Sequence, residues 1–411
     1  MFKGKNFYLL IGSQLFSVLG TTVIQFTIAL YVLDVTKSAF TFSVITALSI
    51  VGRLISLPFC GILADRLPKR NLMLTMDCLY AILALGLLGA SFSSQPVVLI
   101  GLLTILIGMV SAFETPVVQS TIPLICRDED IPRANGIISS VGMLGNIIGP
   151  VFAGIVYHFD SVYWAFLISG CLFLFAIFCE ILLKIPIINT KQFINGSFWQ
   201  VIIADFSELY EYLKKHLIIV KICIIAFLIN FLLAAFVQVV IPYVSRIQFG
   251  VNDELYGLMN TCFAIGSLLG TIAYGLFAKK LSEASIGRIL VLTSLIFSLL
   301  ILPFGMIQNL NIAFWLMTAI ISVMMSLVTM ISVQLIVYIQ LISEQLFLGR
   351  IMSFVMIVST SAMPLGQVLF GSLIGYLSQI QLIVLVLLVA IITLMISLFS
   401  MKVFSSINKI N

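Results

Sequence analysis

Charge is scarce in this chain. Asp, Glu, Lys and Arg make up 9% of its 411 residues, against 61% hydrophobic residues. So little polarity cannot clothe a soluble globule of that length. Histidine is nearly absent: His158 and His216 are the two, and they join no Cys cluster at metal-ligand spacing, so no metal site is indicated. There is no Walker-type phosphate loop and no motif of a known class of membrane enzyme, which argues against an ATP-driven pump or an enzyme and implies no cofactor. The seven cysteines (Cys60, Cys78, Cys126, Cys171, Cys179, Cys223, Cys262) fall in apolar runs or at one edge of them, and no disulfide is expected. No cleaved leader is expected either. MFKGK opens directly into an apolar run from Phe7 to Leu33, far longer than the roughly 7–15 residues of a signal-peptide core.

Long apolar runs are what the chain does have. Twelve lie near residues 7–33, 40–61, 71–93, 97–123, 135–157, 162–184, 217–241, 254–277, 288–306, 312–338, 351–375 and 380–402. Most reach the roughly 20 residues that a membrane-spanning helix needs. With the N-terminus inside, all of the 21 Lys and Arg except Lys37, Arg246 and the intramembrane Arg53 fall on the cytoplasmic side. The positive-inside rule therefore puts both termini in the cytoplasm of a multi-pass protein of the cell membrane. The net charge of +5 then describes loops facing lipid headgroups, and no nucleic-acid partner is expected.

One break interrupts the series. Between residues 185 and 216, Asn195-Gly196-Ser197 reads as a turn, and Ser197 with Gln200 fits a capping box. An apolar stripe including Phe198, Trp199, Leu209, Tyr210 and Leu213 follows, opposite Glu208, Glu211, Lys214 and Lys215. That pattern predicts an amphipathic helix on the membrane surface. The expected organisation is all-α: a six-helix bundle at 1–184, a cytoplasmic linker at 185–216, and a second six-helix bundle at 217–411. The halves repeat. A shift of 214 places Gly52, Gly61 and Ala64 on Gly266, Gly275 and Ala278, and a shift of 217 places Arg133, Gly149 and Gly154 on Arg350, Gly366 and Gly371.

Two constellations carry chemistry. The first is GILADRLPKR, Gly61 to Arg70, which reads as a ten-residue polar turn with one carboxylate, Asp65, before the cations Arg66, Lys69 and Arg70. The second is a set of ionisable groups inside spans. Arg53 and Glu114 lie eight and nine residues from the ends of their runs, and Asp77 lies seven residues past Arg70, so each is roughly 10–14 Å deep at 1.5 Å per residue. Each is costly in lipid unless paired or facing water. One cation and two carboxylates leave a carboxylate over, which a proton would neutralise. The bland reading is a fixed Arg53–Glu114 pair with Asp77 anchoring the basic loop. Neutral polar residues point to cavity walls or to interhelical hydrogen bonding: Gln14, Ser17, Thr21 and Gln25 along one face of the first span, Asn146 in the fifth, and Asn230, Gln238, Asn260, Gln334 and Gln367 in the second half.

The Gly61–Arg70 stretch resembles the loop between helices 2 and 3 of the major facilitator superfamily. The passage holding Gly142, Gly145, Gly149, Pro150 and Gly154 resembles that family's antiporter signature, with Ala153 replacing one glycine. Gln25-Phe26, Asp77 and the passage around Asn135 are similar to the macrolide-efflux and siderophore-exporter type of drug:proton antiporter. The resemblance implies twelve helices in two bundles, alternating access, and a cytoplasmic gate at Gly61, Asp65, Arg66, Lys69 and Arg70. It further implies proton coupling through Glu114 and Asp77 near Arg53, with close packing at Gly145, Gly149, Pro150 and Gly154. The expected partners are a small molecule and protons, the expected state a monomer. An importer or facilitator of the same fold with a static Arg53–Glu114 pair is the alternative, and a non-transporting receptor a more distant one.

Overall fold

The computed structural model describes residues 5–127, 130–158, 162–185, 208–277, 283–305, 309–343 and 348–407; the side chains of residues 61, 62, 64–66, 132, 158, 283, 284, 348, 349 and 403–407 lie outside the description. Among the described residues every regular element is helical, and twelve helices are long and apolar enough to cross a membrane. They are α1 (Lys5–Thr36), α2 (Ala39–Arg66), α3 (Lys69–Ser91), α4 (Pro96–Ile125), α5 (Ile131–His158) and α6 (Val162–Leu182). After the break come α7 (Leu217–Gln248) and α8 (Asp253–Phe277). Next is α9, which runs Glu283–Ser298 and resumes at Ile301–Gly305, then α10 (Leu310–Ile342), α11 (Leu348–Ile374) and α12 (Gln379–Ile407). The expected all-α membrane architecture with twelve spans is what the chain adopts.

Local chemistry explains the irregular points. Lys37 takes a left-handed φ of 50° between α1 and α2, and Ser38 caps α2 by accepting from the Thr41 amide at 3.3 Å. Within α7, π-turns occupy Asn230–Ala234 and Val244–Gln248. In α9, Leu299 and Leu300 form a turn just before Pro303, whose missing N–H cannot complete the helical ladder.

The Gly61–Arg70 turn is shorter than the sequence implied. α2 continues through Gly61 and Asp65 to Arg66, and the Leu67 amide closes the last turn on the Leu63 carbonyl at 3.0 Å. Only Leu67 and Pro68 separate α2 from α3. A glycine inside a helix costs about 1 kcal/mol and does not stop it; the end of an apolar run marks the edge of lipid, not the end of the helix. Pro68 is the real stop.

The chain divides into two compact units, Met1–Gln192 with Gly250–Thr261, and Phe193–Phe249 with Cys262–Asn411. In the first, α2 packs along α4, α1 along α5 and α6, and α3 between α4 and α6. In the second, α9 packs along α10 and α12, and α11 along α7. A small residue sets the same seam in both. A Cβ on Gly52 would collide with the Ile105 carbonyl of α4, and one on Gly266 with the Ser322 carbonyl of α10. Gly52 and Gly266 are related by the shift of 214, Ile105 and Ser322 by 217. Helix backbones meet this closely only where a side chain is missing.

The Ser197–Gln200 box and the stripe from Phe198 to Phe206 lie outside the described residues. Residues 208–215 are helical. Leu209, Tyr212 and Leu213 are buried there and Tyr210 is exposed, so the apolar face covers protein and is rotated from the expected one. Lys214 lies 4.2 Å over the Tyr210 ring and bonds Glu211 at 3.2 Å, which holds its ammonium above the usual lysine range. Arg350, at the start of α11, ties to Glu208 at 2.6 Å.

Candidate functional site

The first unit gathers its intramembrane charges around one small cavity. On α3, Arg70, Met73, Asp77 and Tyr80 follow one another at three or four residues and so share a face. That face meets α1, which contributes Ser13, Gln14 and Ser17, and it meets Glu114 of α4 and Glu180 of α6. The cavity is about 20 Å³ and is lined by Gln14, Ser17, Met73, Asp77, Glu114 and Glu180 among others. That is room for roughly one water.

Every carboxyl at the cavity has a named donor. Tyr80 gives its phenolic hydrogen to Oε1 of Glu114. Ser17 donates to Oδ1 of Asp77 at 2.8 Å, and Ser13, one turn away on α1, donates to Oε1 of Glu180 at 2.9 Å. Asp77 is 3% exposed and Glu180 1%. Carboxylates this far out of water survive only with such bonds, a counter-ion or a proton.

Asp77 and Glu114 thus come together at the cavity, with Gln14 and Ser17 of the proposed cavity wall. Arg53 does not join them as a partner. Half-buried on α2, it makes no ion pair with Glu114 among the described residues; the phenol of Tyr80 holds that carboxyl instead. The fixed Arg53–Glu114 pair is therefore corrected. Equal depth does not by itself bring two side chains into contact, and the α2–α4 contact is made by backbone at Gly52 and Gly108, against the carbonyls of Ile105 and Ser49.

Two residues of the cluster were missing from the sequence inventory. Glu180 stands two residues before the end of α6 and is absent from the intramembrane charges named from the sequence. Its signal was there: it is the one ionisable residue of Val162–Leu182 that is acidic, in an otherwise apolar run. Tyr80 was legible as the residue one turn past Asp77 on the same face.

The other expected residues are dispersed. The side chains of Gly61, Asp65 and Arg66 lie outside the described residues, and Lys69 is half-buried. Arg70 has a partner within the bundle: its Nε donates to the Glu180 carbonyl at 3.0 Å and its Nη2 to the Ile181 carbonyl at 2.5 Å, closing the last turn of α6. On α5, a Cβ at Gly145 would collide with Val18 of α1 and one at Gly149 would fall 2.5 Å from Thr22 Cγ2. Gly154 closes on the Asp253 carbonyl in the Gly250–Thr261 part of the same unit. Gly142 has nothing within 4 Å of such an atom, so it is not a close-packing glycine, contrary to the spacing-based reading. Pro150 is buried and Asn146 exposed. Along α1, Thr21 bonds backward to its own helix and Gln25 is exposed, so the polar face does not stay buried over its length. In the second unit, Gln367 donates to Gln238 at 2.6 Å, joining α11 to α7. Asn230 bonds to the Ala226 carbonyl of its own helix, and Asn260, in the Gly250–Thr261 part of the first unit, likewise to that of Tyr256. Gln334 is buried on α10.

Comparison with known proteins decides the family. The sequence matches the Major Facilitator Superfamily over residues 10–367. The chain belongs to the major facilitator superfamily. Among curated relatives it is 23% identical over 297 residues to macrolide efflux protein A of Streptococcus pyogenes, covering 71% of this chain and 70% of that protein. It is 25% identical over 289 residues to the staphyloferrin A transporter of Staphylococcus aureus, covering 69% and 70%. Among solved structures, a bacterial homologue of the human lysosomal transporter Spinster superposes with a TM-score of 0.75 at 13% identity, covering 98% of each chain. A D-xylose-proton symporter superposes with a TM-score of 0.72 at 12% identity, covering 95% of each. These structures share the fold. This superfamily member is a membrane transporter with efflux proteins among its relatives, and its family and fold are those of transporters, not of enzymes.

Proposed function

We propose that this protein is a proton-coupled exporter of amphiphilic small molecules, acting in the cell membrane by alternating access with both termini in the cytoplasm. The observation that carries the reading is the cavity of the first unit, where Glu114 and Asp77 stand in water-sized space inside an otherwise apolar bundle. A carboxyl that bonds the phenol of Tyr80, with no ion pair among the described residues, is free to gain and lose a proton without breaking a buried ion pair. Differential proton binding to two states is what couples a gradient to a conformational equilibrium. The Asp65–Arg70 stretch then serves as the cytoplasmic gate, and α5 as the packed hinge between conformations.

The second unit supports a neutral substrate path. Its buried polar side chains are neutral, amides such as Gln334 and Gln367 and hydroxyls such as Thr293, Ser294 and Thr318. Large, weakly polar or zwitterionic molecules suit such walls, and the relatives named for macrolide efflux and for staphyloferrin A supply two probes of this kind. An importer or facilitator built on a static Arg53–Glu114 pair has less support, because no such pair forms among the described residues.

The test is uptake into inverted membrane vesicles, which is export in the cell. Energised vesicles should accumulate a macrolide or staphyloferrin A, and a protonophore should abolish the accumulation. Accumulation that survives the protonophore removes proton coupling; no accumulation of either probe, with exchange in right-side-out vesicles, reverses the direction.

A further inference from the structure

We propose that Asp77 and Glu180 together form a second proton site, distinct from Glu114, in which one proton is shared between the two carboxyls. The starting point is the hydrogen-bond count. Asp77 on α3 and Glu180 on α6 line the same small cavity. Each has one oxygen engaged by a serine of α1: Ser17 on Asp77 Oδ1 and Ser13 on Glu180 Oε1. The remaining oxygens, Asp77 Oδ2 and Glu180 Oε2, are fully buried and have no donor among the described protein atoms. Ionised carboxyls are acceptors only, so two of them in contact have nothing to share. A single proton between them supplies the missing donor to both orphaned oxygens at once. It also removes one of two like charges that a water-poor site does not tolerate side by side.

The surroundings leave the pair short of positive charge. The titratable and charged groups around it are Arg70, whose guanidinium bonds the Glu180 and Ile181 carbonyls, Glu114 and Tyr80, which bond one another, and Cys78 and Cys179 beside the two acids in sequence. Arg53 acts on Glu114 and Tyr80 from α2. Arg70 reaches Glu180 only at its backbone carbonyl. No cation among the described residues forms an ion pair with either acid. The titration belongs to the pair and not to one member.

The site also has a mechanical address. Arg70 and Asp77 stand two turns apart on one face of α3, and both hold the same residue of α6. Arg70 takes the backbone of Glu180, and Asp77 its side chain. Loss of the shared proton puts two negative charges across the α3–α6 seam directly beneath the Arg70 clamp. The seam loosens at the end where α3 meets the Leu67-Pro68 turn. That this release serves transport rests on the export reading above; the proton site itself does not.

The experiment is infrared difference spectroscopy of the purified full-length protein in lipid, between acid and alkaline buffer. It is done in a Glu114→Gln background, so that Glu114 contributes no signal. A protonated-carboxyl stretch should remain in that background, and adding either Glu180→Gln or Asp77→Asn should abolish it, since each leaves a lone, hydrogen-bonded carboxylate. Both substitutions keep a side-chain oxygen for the serine that bonds the native acid, and Gln and Asn match the natural side chains in size. If only one of the two variants can be purified, its spectrum decides. If neither can, the background protein decides through Na+: a shared proton keeps its band at constant pH when Na+ is raised, whereas a metal-ion site loses it. A band that is absent from the background protein, survives either acid-to-amide change at full intensity, or is displaced by Na+ overturns the proposal. Failure of proton-driven export by the wild-type protein, with the band intact in the Glu114→Gln background, would instead count against the export reading alone.

Discussion

The phenolic hydroxyl of Tyr80 on α3 donates to Oε1 of Glu114 on α4. This one bond changes what a substitution at Glu114 should do. Were the carboxylate held by a buried guanidinium, removing its charge would strand a cation at a cost of roughly 3–5 kcal/mol. Bound to a phenol, it is replaced by glutamine with the acceptor oxygen kept. Glu114→Gln should therefore be purified at wild-type yield and melt within a few degrees of wild type in detergent. It should lose uphill, pH-driven transport while keeping downhill exchange. A marked fall in melting temperature, restored by adding Arg53→Gln, would reinstate the pair with Arg53.

Arg70 closes the end of α6 with two hydrogen bonds from one guanidinium. Charge-assisted bonds of this kind contribute roughly 1.5–3 kcal/mol each, less where water reaches them. Arg70→Ala should lower the melting temperature by several degrees. Arg70→Lys should recover only part of the loss, because an ammonium cannot bond two successive carbonyls as a planar fork does. Equal melting of the lysine variant and wild type would show that charge at this position suffices.

Gly149 lies against Thr22 with no room for a side chain. Gly149→Leu should force α5 from α1, a change that typically costs about 1–3 kcal/mol, and transport should fall at least tenfold. Gly142→Leu, with open space around it, is the matched control and should leave transport near the wild-type rate. The comparison fails if both variants, or neither, lose activity.

Asp65 stands in the last turn of α2, two residues before the break at Leu67 and Pro68. Asp65→Asn should slow transport severalfold with little change in the amount of protein in the membrane, which is the outcome the proposed gate requires. Uptake assays normalised to protein in the vesicles decide it. A wild-type rate would take Asp65 out of the gate.

How much of this the sequence could disclose depends on what each feature rests on. The helices were legible because a run of apolar residues must satisfy its own backbone in lipid. Hydropathy gives length along the membrane normal, so the depths of Asp77 and Glu114 were readable as well. It gives nothing about which way a side chain points around the helix axis. Arg53 therefore looked like Glu114's partner, although its helix meets α4 through Gly52. Glu180 was not singled out for the same reason: nothing in its spacing along α6 shows that it faces the cavity that Asp77 lines and the helix that carries Arg70. The Gly61–Arg70 stretch misled through its punctuation, since glycine permits a turn but only Pro68 compels one.

The seam at Gly52 has a consequence for which substitutions the chain tolerates. Gly52 and Gly266 are matched by the shift of 214, and each admits a neighbouring helix to backbone contact. One residue further on, the halves disagree: Arg53 in the first, Ser267 in the second. Adjacent positions thus come under different laws. The glycine answers to shape, which both halves require. Its neighbour answers to electrostatics, and carries a charge in the first half alone. A saturation-mutagenesis map should show it directly, with positions 52 and 266 equally intolerant, and 53 and 267 unlike.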